Sequence, residues 1–507
     1  MTHPEPGSAE ELERFAELQE RLTPLFERIV PNPGEHRTVV VVPSLSLDPQ
    51  LLAKIKGVQH YEERMLCLLM LLRLPRTHVV YVTSTLLDPA IVDYYLHLLP
   101  GVPGNHARKR LTLLTCHDPS VATLSQKILE RPRMIRRIQE AIPDNSAAHM
   151  TVFHATEVER TLAVRIGIPL YACDPELAWL GSKSGGRDVF RKAGVLVPDG
   201  AEHLRDVDDV AEALSDIKTR DPGLRRGVVK LEYGTSGEGN AVFDFEGAPK
   251  TGIASWVREM LPERLRYESD SESWDHYSHK FGEMGGIIEA WIEGEDKRSP
   301  SVQCRIDPVN RLKLVSTHDQ VLGGPSKQVF LGCTFPAEDD YRLDIQEVGL
   351  KVGEVLREEN ALGRFGVDFI SVQEGDHWKN YAIEINLRKG GTTHTFDILQ
   401  FLTEGSYQTD TGLYLTPQGG PRFYYATDNL LNPDYKRLTP EDLMDIATVN
   451  GLHFDGAKQE GVFFHLIGAL SGHGKIGLVC VAGYPGGAKR LYKTTVETLE
   501  REALRGS

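Results

Sequence analysis

The chain is poor in cysteine, in long apolar runs and in positive charge, and each shortage removes a class of function. Its 507 residues include six cysteines, Cys67, Cys116, Cys173, Cys304, Cys333 and Cys480. None forms a Cys-x-x-Cys pair or a zinc-ligand spacing, which argues against a disulfide framework or a metal knot and predicts free thiols in a reducing cytoplasm. The most apolar segment, Met65 to Leu74, is interrupted by Arg73 and stops at Pro75, so it predicts a buried helix and no membrane span. The opening Met-Thr-His-Pro-Glu-Pro-Gly lacks a basic start and an apolar core, and no secretory signal is expected. Lys and Arg number 57 against 72 Asp and Glu, a net charge of -15 that speaks against nucleic acid or an anionic membrane as partner.

What is present is ordinary for globular protein, with 40% hydrophobic and 25% charged residues, and the length predicts about three domains. Residues 9 to 29 carry a helical apolar repeat, Leu12, Phe15, Leu18, Leu22 and Phe26. The runs Thr38 to Val42, His78 to Val82 and Leu111 to Thr115 then alternate with helical stretches, predicting a doubly wound parallel α/β domain over residues 1–175. Residues 176–420 predict a second domain. It has helices at Asp188 to Ala193 and up to about Lys218, strands at Gly227 to Leu231, Ala241 to Phe245, Gly286 to Ile292, Ser301 to Ile306 and Leu312 to Ser316, and a helix from Asp344 to Glu359. After Gly419-Gly420-Pro421 the pattern restarts, and a helix at Pro440 to Asn450 with strands Gly461 to Leu466 and Gly477 to Val481 predicts a small α+β unit over 421–507. The fold class is thus multidomain, α/β with α+β.

The most informative stretches are Gly-Val-Asp-Phe-Ile at Gly366 to Ile370 and Tyr-Ala-Ile-Glu-Ile-Asn-Leu-Arg at Tyr381 to Arg388. Both alternate like half-buried strands, and the run Glu374 to His377 reads as the loop of an antiparallel hairpin. A period of two puts Glu384, Asn386 and Arg388 on one face and brings Asp368 near them. Crowded carboxylates call for a cation, and hard oxygen donors suit Mg²⁺ carrying nucleotide phosphates. Upstream, Lys230 closes a strand before a loop containing Gly234, Thr235, Ser236, Gly237 and Gly239. Such glycines let backbone N–H groups approach phosphate oxygens while the lysine adds a point charge. The strand Ile287 to Ile292 runs into an acidic turn with Glu295 and Asp296, and its backbone from Glu289 to Ile292 is a candidate for hydrogen-bonding adenine.

Taken in order, these motifs resemble the ATP-grasp ligases, such as biotin carboxylase and D-alanine:D-alanine ligase, over about residues 180 to 400. The resemblance implies that Lys183, in Gly-Ser-Lys-Ser-Gly-Gly-Arg, and Lys230 bind phosphate, and that Gly234 to Gly239 form a lid including Ser236 and Gly237. Glu289 and Ile292 would frame adenine, and Glu295 or Asp296 would hold ribose. Asp368, Glu384 and Asn386 would hold Mg²⁺, as two ions, and Arg388 would steady the activated carboxylate, making Arg388 and Lys230 the catalytic pair. A narrower resemblance covers nearly the whole chain. Pro43-Ser44-Leu45-Ser46, His60-Tyr61-Glu62-Glu63-Arg64, Leu124 to Arg136, Ser316-Thr317-His318-Asp319-Gln320 and Arg388-Lys389-Gly390-Gly391-Thr392-Thr393-His394 look like the peptide ligases of the pheganomycin-synthesis type. Those ligases carry a pre-ATP-grasp domain in front and a small domain behind.

That family implies ATP-driven joining of an amino-acid carboxylate to the amine of a peptide or amino acid through an acyl phosphate, in peptide natural-product biosynthesis, with ATP and Mg²⁺ as cofactors. A homodimer is compatible with it. Two alternatives are an ATP-grasp ligase for other small acids and amines, and a non-catalytic nucleotide-binding regulator, which would have no need of the full acidic set. The stretch His60 to Arg64 is expected to form salt bridges within a helix, and His318 and His394 are expected to be structural.

Overall fold

Four short runs build the first sheet of the computed structural model, which describes residues 3–47, 49–234, 239–268, 272–323 and 329–505. They are β1 (Arg37–Val42), β2 (Thr77–Thr83), β3 (Leu111–Thr115) and β4 (Ala148–Val152), all parallel in the order β3-β2-β1-β4. The valines of β1 show why this layer is covered on both faces: Val39 and Val41 enter one core, Val40 and Val42 another. The sequence reading missed β4, whose Ala-His-Met-Thr-Val interleaves polar residues and gives no apolar run. The expected helix at Met65 to Leu74 is part of a 3-10 helix, Val58–Arg73. Leu66, Leu69 and Leu72 are fully buried at a spacing of three, which a 3-10 helix stacks on one edge.

The second sheet contains β5 (Gly200–Leu204), β6 (Arg226–Leu231), β7 (Asn240–Asp244), β8 (Arg266–Tyr267) and β9 (Gly286–Ala290), antiparallel in the order β5-β9-β6-β7-β8. The strand expected to reach Ile292 stops at Ala290. The helix expected at Asp188 to Ala193 instead spans Lys183–Lys192, because Ser182 caps it by accepting from the Gly185 N–H at 3.1 Å. Its glycine pair, read as loop, serves close packing: a Cβ on Gly185 would lie 1.9 Å from the Trp179 carbonyl oxygen.

The third sheet has eleven described strands, β10 (Lys297–Arg298), β11 (Pro300–Ile306), β12 (Leu312–Gly323), β13 (Val329–Phe335), β14 (Gly363–Glu374), β15 (His377–Asn386), β16 (Ser406–Gln408), β17 (Leu413–Leu415), β18 (Pro421–Leu431), β19 (Gly461–His465) and β20 (Lys475–Ala482). The acidic hairpin is β14 and β15. Strand β18 pairs with β13 from Gly332↔Thr427 to Phe335↔Tyr424 and carries β20 and β19 on its other side, so the chain beyond residue 420 continues the same sheet. The largest core is likewise shared. Tyr95 of helix Pro89–His97 and Phe401 of helix Gly391–Thr403 both meet Phe463 of β19, with ring centroids 5.1 and 6.0 Å away.

Candidate active site

A cleft of about 1120 Å³ is lined by β6 and β9, by β12, β14 and β15, and by segments from both ends of the chain. Its chemistry is densest where β14 and β15 pair. Asp368 stands directly opposite Glu384, at a register shift between Asp368 and Phe369, and Gly366 stands opposite Asn386. Alternation therefore places Asp368, Glu384 and Asn386 on one face. The Asn386 amide donates to Asp368 Oδ2 at 2.8 Å, and the Gln320 amide from β12 donates to Asp368 Oδ1 at 2.9 Å. Lys183 reaches in from the first turn of its helix, with Nζ 2.8 Å from Glu384 Oε1. Arg388, two residues past β15, lines the same end of the cleft.

The two carboxylates titrate apart. Burial, then the negative charge of Glu384, pushes the Asp368 carboxyl up to about 7. Burial acts upward on Glu384 too, but the Lys183 ammonium, with Arg388 and Lys230, overcomes it and holds that carboxyl below its usual value. A site that keeps one acid ionised and the other poised near neutrality is short of positive charge. Two carboxylates and an amide fit a hard divalent cation such as Mg²⁺, with water and phosphate oxygens completing the shell. Among the described residues no group of three or more His, Cys, Asp or Glu gathers round one point, as a closed all-protein cage would require.

The sign of the pH effect follows. Asp368 must release its proton to bind a cation, so Mg²⁺ affinity is expected to rise with pH and to level off above about 7, falling about tenfold for each unit below that. Isothermal titration from pH 5.5 to 8 checks this, and an affinity flat across that range rejects the cation assignment. In the protein without metal the same raised carboxyl favours the fold at low pH. Its contribution is complete below the unfolded value near 4 and is lost as pH rises through about 7.

A second cluster forms the cleft wall. Lys230 of β6 and Glu289 of β9 are both buried, with Lys230 Nζ 2.5 Å from Glu289 Oε2. The other oxygen, Glu289 Oε1, accepts from Arg187 at 2.7 Å, and Arg187 also pairs with Glu202. The Glu289 side chain is thus the counter-ion of two cations. Its main chain lies between β5 and β6 in a doubly paired strand, while the residue also lines the cleft. Ile292 does line the cleft, beside Trp291, whose ring lies under the Arg226 guanidinium at 4.5 Å and the Lys297 ammonium at 4.7 Å.

Glu295 is exposed and Asp296 half-buried, neither is among the cleft-lining residues, and Asp296 pairs with Arg298 at 3.0 Å. Gly239, in the left-handed region at φ +87°, sits where the glycine-rich hairpin rejoins β7, and its carbonyl accepts from the Tyr277 hydroxyl at 2.9 Å. Gly234 ends the described part of the other arm, and Ser236 and Gly237 lie outside the described residues. His318 is buried, and its Nε2 is 2.7 Å from the Tyr424 hydroxyl. His394 is buried against His465.

Sequence reading gave no site role to Gln320 or Arg187, and the salt bridge it expected within the helix accounts for only part of His60 to Arg64. His60 does meet Glu63 at 3.3 Å within the helix, but Arg64 pairs with Asp428 and the Tyr61 hydroxyl accepts from Lys475 at 2.6 Å. Those partners lie hundreds of residues away in sequence, and no local signal announces them. Lys389 follows Arg388 in the same loop. It is half-buried, desolvation pushes its ammonium down to about 8, and it donates to Thr151 Oγ1 at 3.1 Å and the Val152 carbonyl at 2.6 Å, tying the Arg388 loop to the end of β4.

Comparison with known proteins gives the following. Residues 175–266 and 251–410 match the IQCH-like ATP-grasp family, and residues 442–495 match the PGM1 C-terminal domain. The chain is 31% identical to the L-propargylglycine--L-glutamate ligase of Streptantibioticus cattleyicolor, over 90% of this chain and 92% of that protein. It is 22% identical to IQ motif-containing protein H of Danio rerio, over 90% of this chain and 47% of that protein. Among solved structures, the ADP complex of N5-carboxyaminoimidazole ribonucleotide synthetase aligns with a TM-score of 0.51 at 12% identity, covering 92% of this chain and 98% of that one. The biotin carboxylase subunit of pyruvate carboxylase aligns with a TM-score of 0.50 at 13% identity, covering 92% and 90%.

Proposed function

The chain belongs to the ATP-grasp ligases, and from that premise we propose that it is an ADP-forming carboxylate–amine ligase acting in peptide natural-product biosynthesis. It joins the carboxylate of an amino acid to the amine of a peptide or another amino acid. The observation that carries the reading is the meeting of Lys183, Arg388, Asp368, Glu384 and Asn386 at one end of a cleft that also holds Lys230 and Ile292.

The reaction has two parts. A carboxylate oxygen attacks the γ-phosphorus of ATP, the bond from that phosphorus to the β-bridging oxygen breaks, and ADP leaves. The amine nitrogen then attacks the acyl carbon, the carbon–oxygen bond to phosphate breaks, and the nitrogen gives up a proton as the amide forms. Negative charge accumulates in the first part, where a carboxylate approaches a phosphate. Lys183 and Lys230 neutralise phosphate oxygens and Arg388 draws in the carboxylate, all from fixed positions that need no reorganisation during transfer. Mg²⁺, held by Asp368, Glu384 and Asn386, would supply further neutralisation of the phosphate oxygens. Asn386 and Gln320 keep Asp368 oriented.

The finer parts of the proposal are two Mg²⁺ ions per nucleotide, a homodimer, and a cytoplasmic location in keeping with six cysteines that are all free and buried. An ¹⁸O-labelled carboxylate followed by phosphorus NMR tests the chemistry. Label is expected in inorganic phosphate with ADP as co-product, and labelled AMP would overturn the acyl-phosphate route.

A further inference from the structure

Resting on the ligase reading, we infer that the basic wall of the cleft, built by segments from both ends of the chain, binds the free carboxylate of the amine-bearing substrate. The protein is acidic overall, at -15, yet this wall is basic. It is lined by Lys54, Lys56, Arg64 and Lys475, with Asp428 as the acid among them.

The geometry concentrates that excess. Tyr61 presents one ring to two cations, with the Arg64 guanidinium 4.0 Å and the Lys475 ammonium 4.9 Å from its centroid. Arg64 also pairs with Asp428, and Arg64 Nε is buried with no hydrogen-bond partner among the described residues. Lys475 is 5% exposed and donates to the neutral Tyr61 hydroxyl at 2.6 Å. Two confined cations sharing one carboxylate are repulsive until an anion joins them, and a carboxylate matches the planar donors of Arg64 while drawing on the point charge of Lys475.

The chemistry of ligation says which carboxylate this is. The acid to be activated belongs beside Arg388 and the metal-binding hairpin. An amino-acid or peptide amine carries a carboxylate of its own, and at that position it would be phosphorylated in place of the proper acid. Holding it at Arg64 and Lys475 keeps it from the γ-phosphate and leaves the amine as the end directed toward the acyl carbon. The Arg64–Lys475 wall therefore sets which substrate serves as acid and which as amine.

The test supplies L-alanine and L-glutamate as amines, each as free acid and as α-carboxamide, with each protein amino acid in turn as the acid, and quantifies products by mass spectrometry. Wild-type enzyme is expected to prefer the free acid by about tenfold or more in kcat/KM, the scale of a lost charge-assisted contact. Lys475→Met, which keeps the stem of the side chain, is expected to bring that ratio close to one. Lys56→Ala removes an exposed side chain and cannot disturb the core; it is expected to lower the ratio several-fold and decides the matter if Lys475→Met does not fold. A wild-type enzyme indifferent to the carboxamide, or variants that keep the full preference, would overturn the inference. Wild-type ADP release with hydroxylamine as the amine tests the parent reading alone: its absence with every amino acid would sink acyl-phosphate formation, and this inference with it.

Discussion

Glu384→Gln is expected to stop turnover while leaving the protein folded. The amide keeps the shape of the carboxylate and can still accept from Lys183, 2.8 Å away, so the β14–β15 hairpin retains its packing. What goes is a negative charge in a half-buried site where Lys183, Arg388 and Lys230 all act on it. A metal-binding set reduced to one carboxylate, itself poised near neutrality, holds a cation poorly, and kcat should fall by about 10²–10³ or more, the scale of losing one fixed electrostatic group at a reacting centre. ADP release followed beside thermal unfolding decides the matter. A folded variant with wild-type kcat would remove the hairpin from the active site.

Glu289→Gln is the counterpart in stability. Glu289 is 2% exposed and neutralises Lys230 and Arg187 together, so the neutral amide leaves two buried cations facing each other. Removing one member of a buried ion pair costs about 3–5 kcal/mol, because the remaining charge stays desolvated. Denaturant unfolding should show a loss on that scale, and a loss under about 1 kcal/mol, the range of an exposed pair, would mean that the cluster is solvated. Lys230→Met is milder for the fold, since Glu289 keeps Arg187, and its expected effect is weakened use of ATP.

The contrast between these two sites explains what could be read in the sequence. Asp368, Glu384 and Asn386 were legible because a hairpin is local: eighteen residues and a period of two settle which side chains share a face. The parallel strands β1 to β3 were legible for a similar reason, each being an apolar run. Lys183 was harder, since two glycines after it signal a loop, and only the cap at Ser182 and the close approach to Trp179 explain a helix there. The ion pairs of Glu289 were not legible, because its partner Arg187 lies 102 residues earlier and nothing in the strand Ile287 to Ile292 points to it. Glu295 and Asp296, adjacent in sequence, differ in their surroundings, since Glu295 stands exposed while Asp296 pairs with the nearby Arg298. Arg64 and Asp428, 364 residues apart, lie beyond any reading by period or spacing.

The core shared by Tyr95, Phe401 and Phe463 also bears on how the protein is made. Tyr94, beside Tyr95, accepts a hydrogen bond from the Phe464 N–H, a contact across 370 residues. A ribosome adding about 5–20 residues per second needs roughly 20–70 seconds to cover that stretch. Throughout that interval the aromatic face of the helix Pro89–His97 has been synthesised and its cover has not. The nascent chain must therefore be shielded until Phe463 and Phe464 have been added, and a chain broken near residue 421 yields two fragments that each expose half of one core.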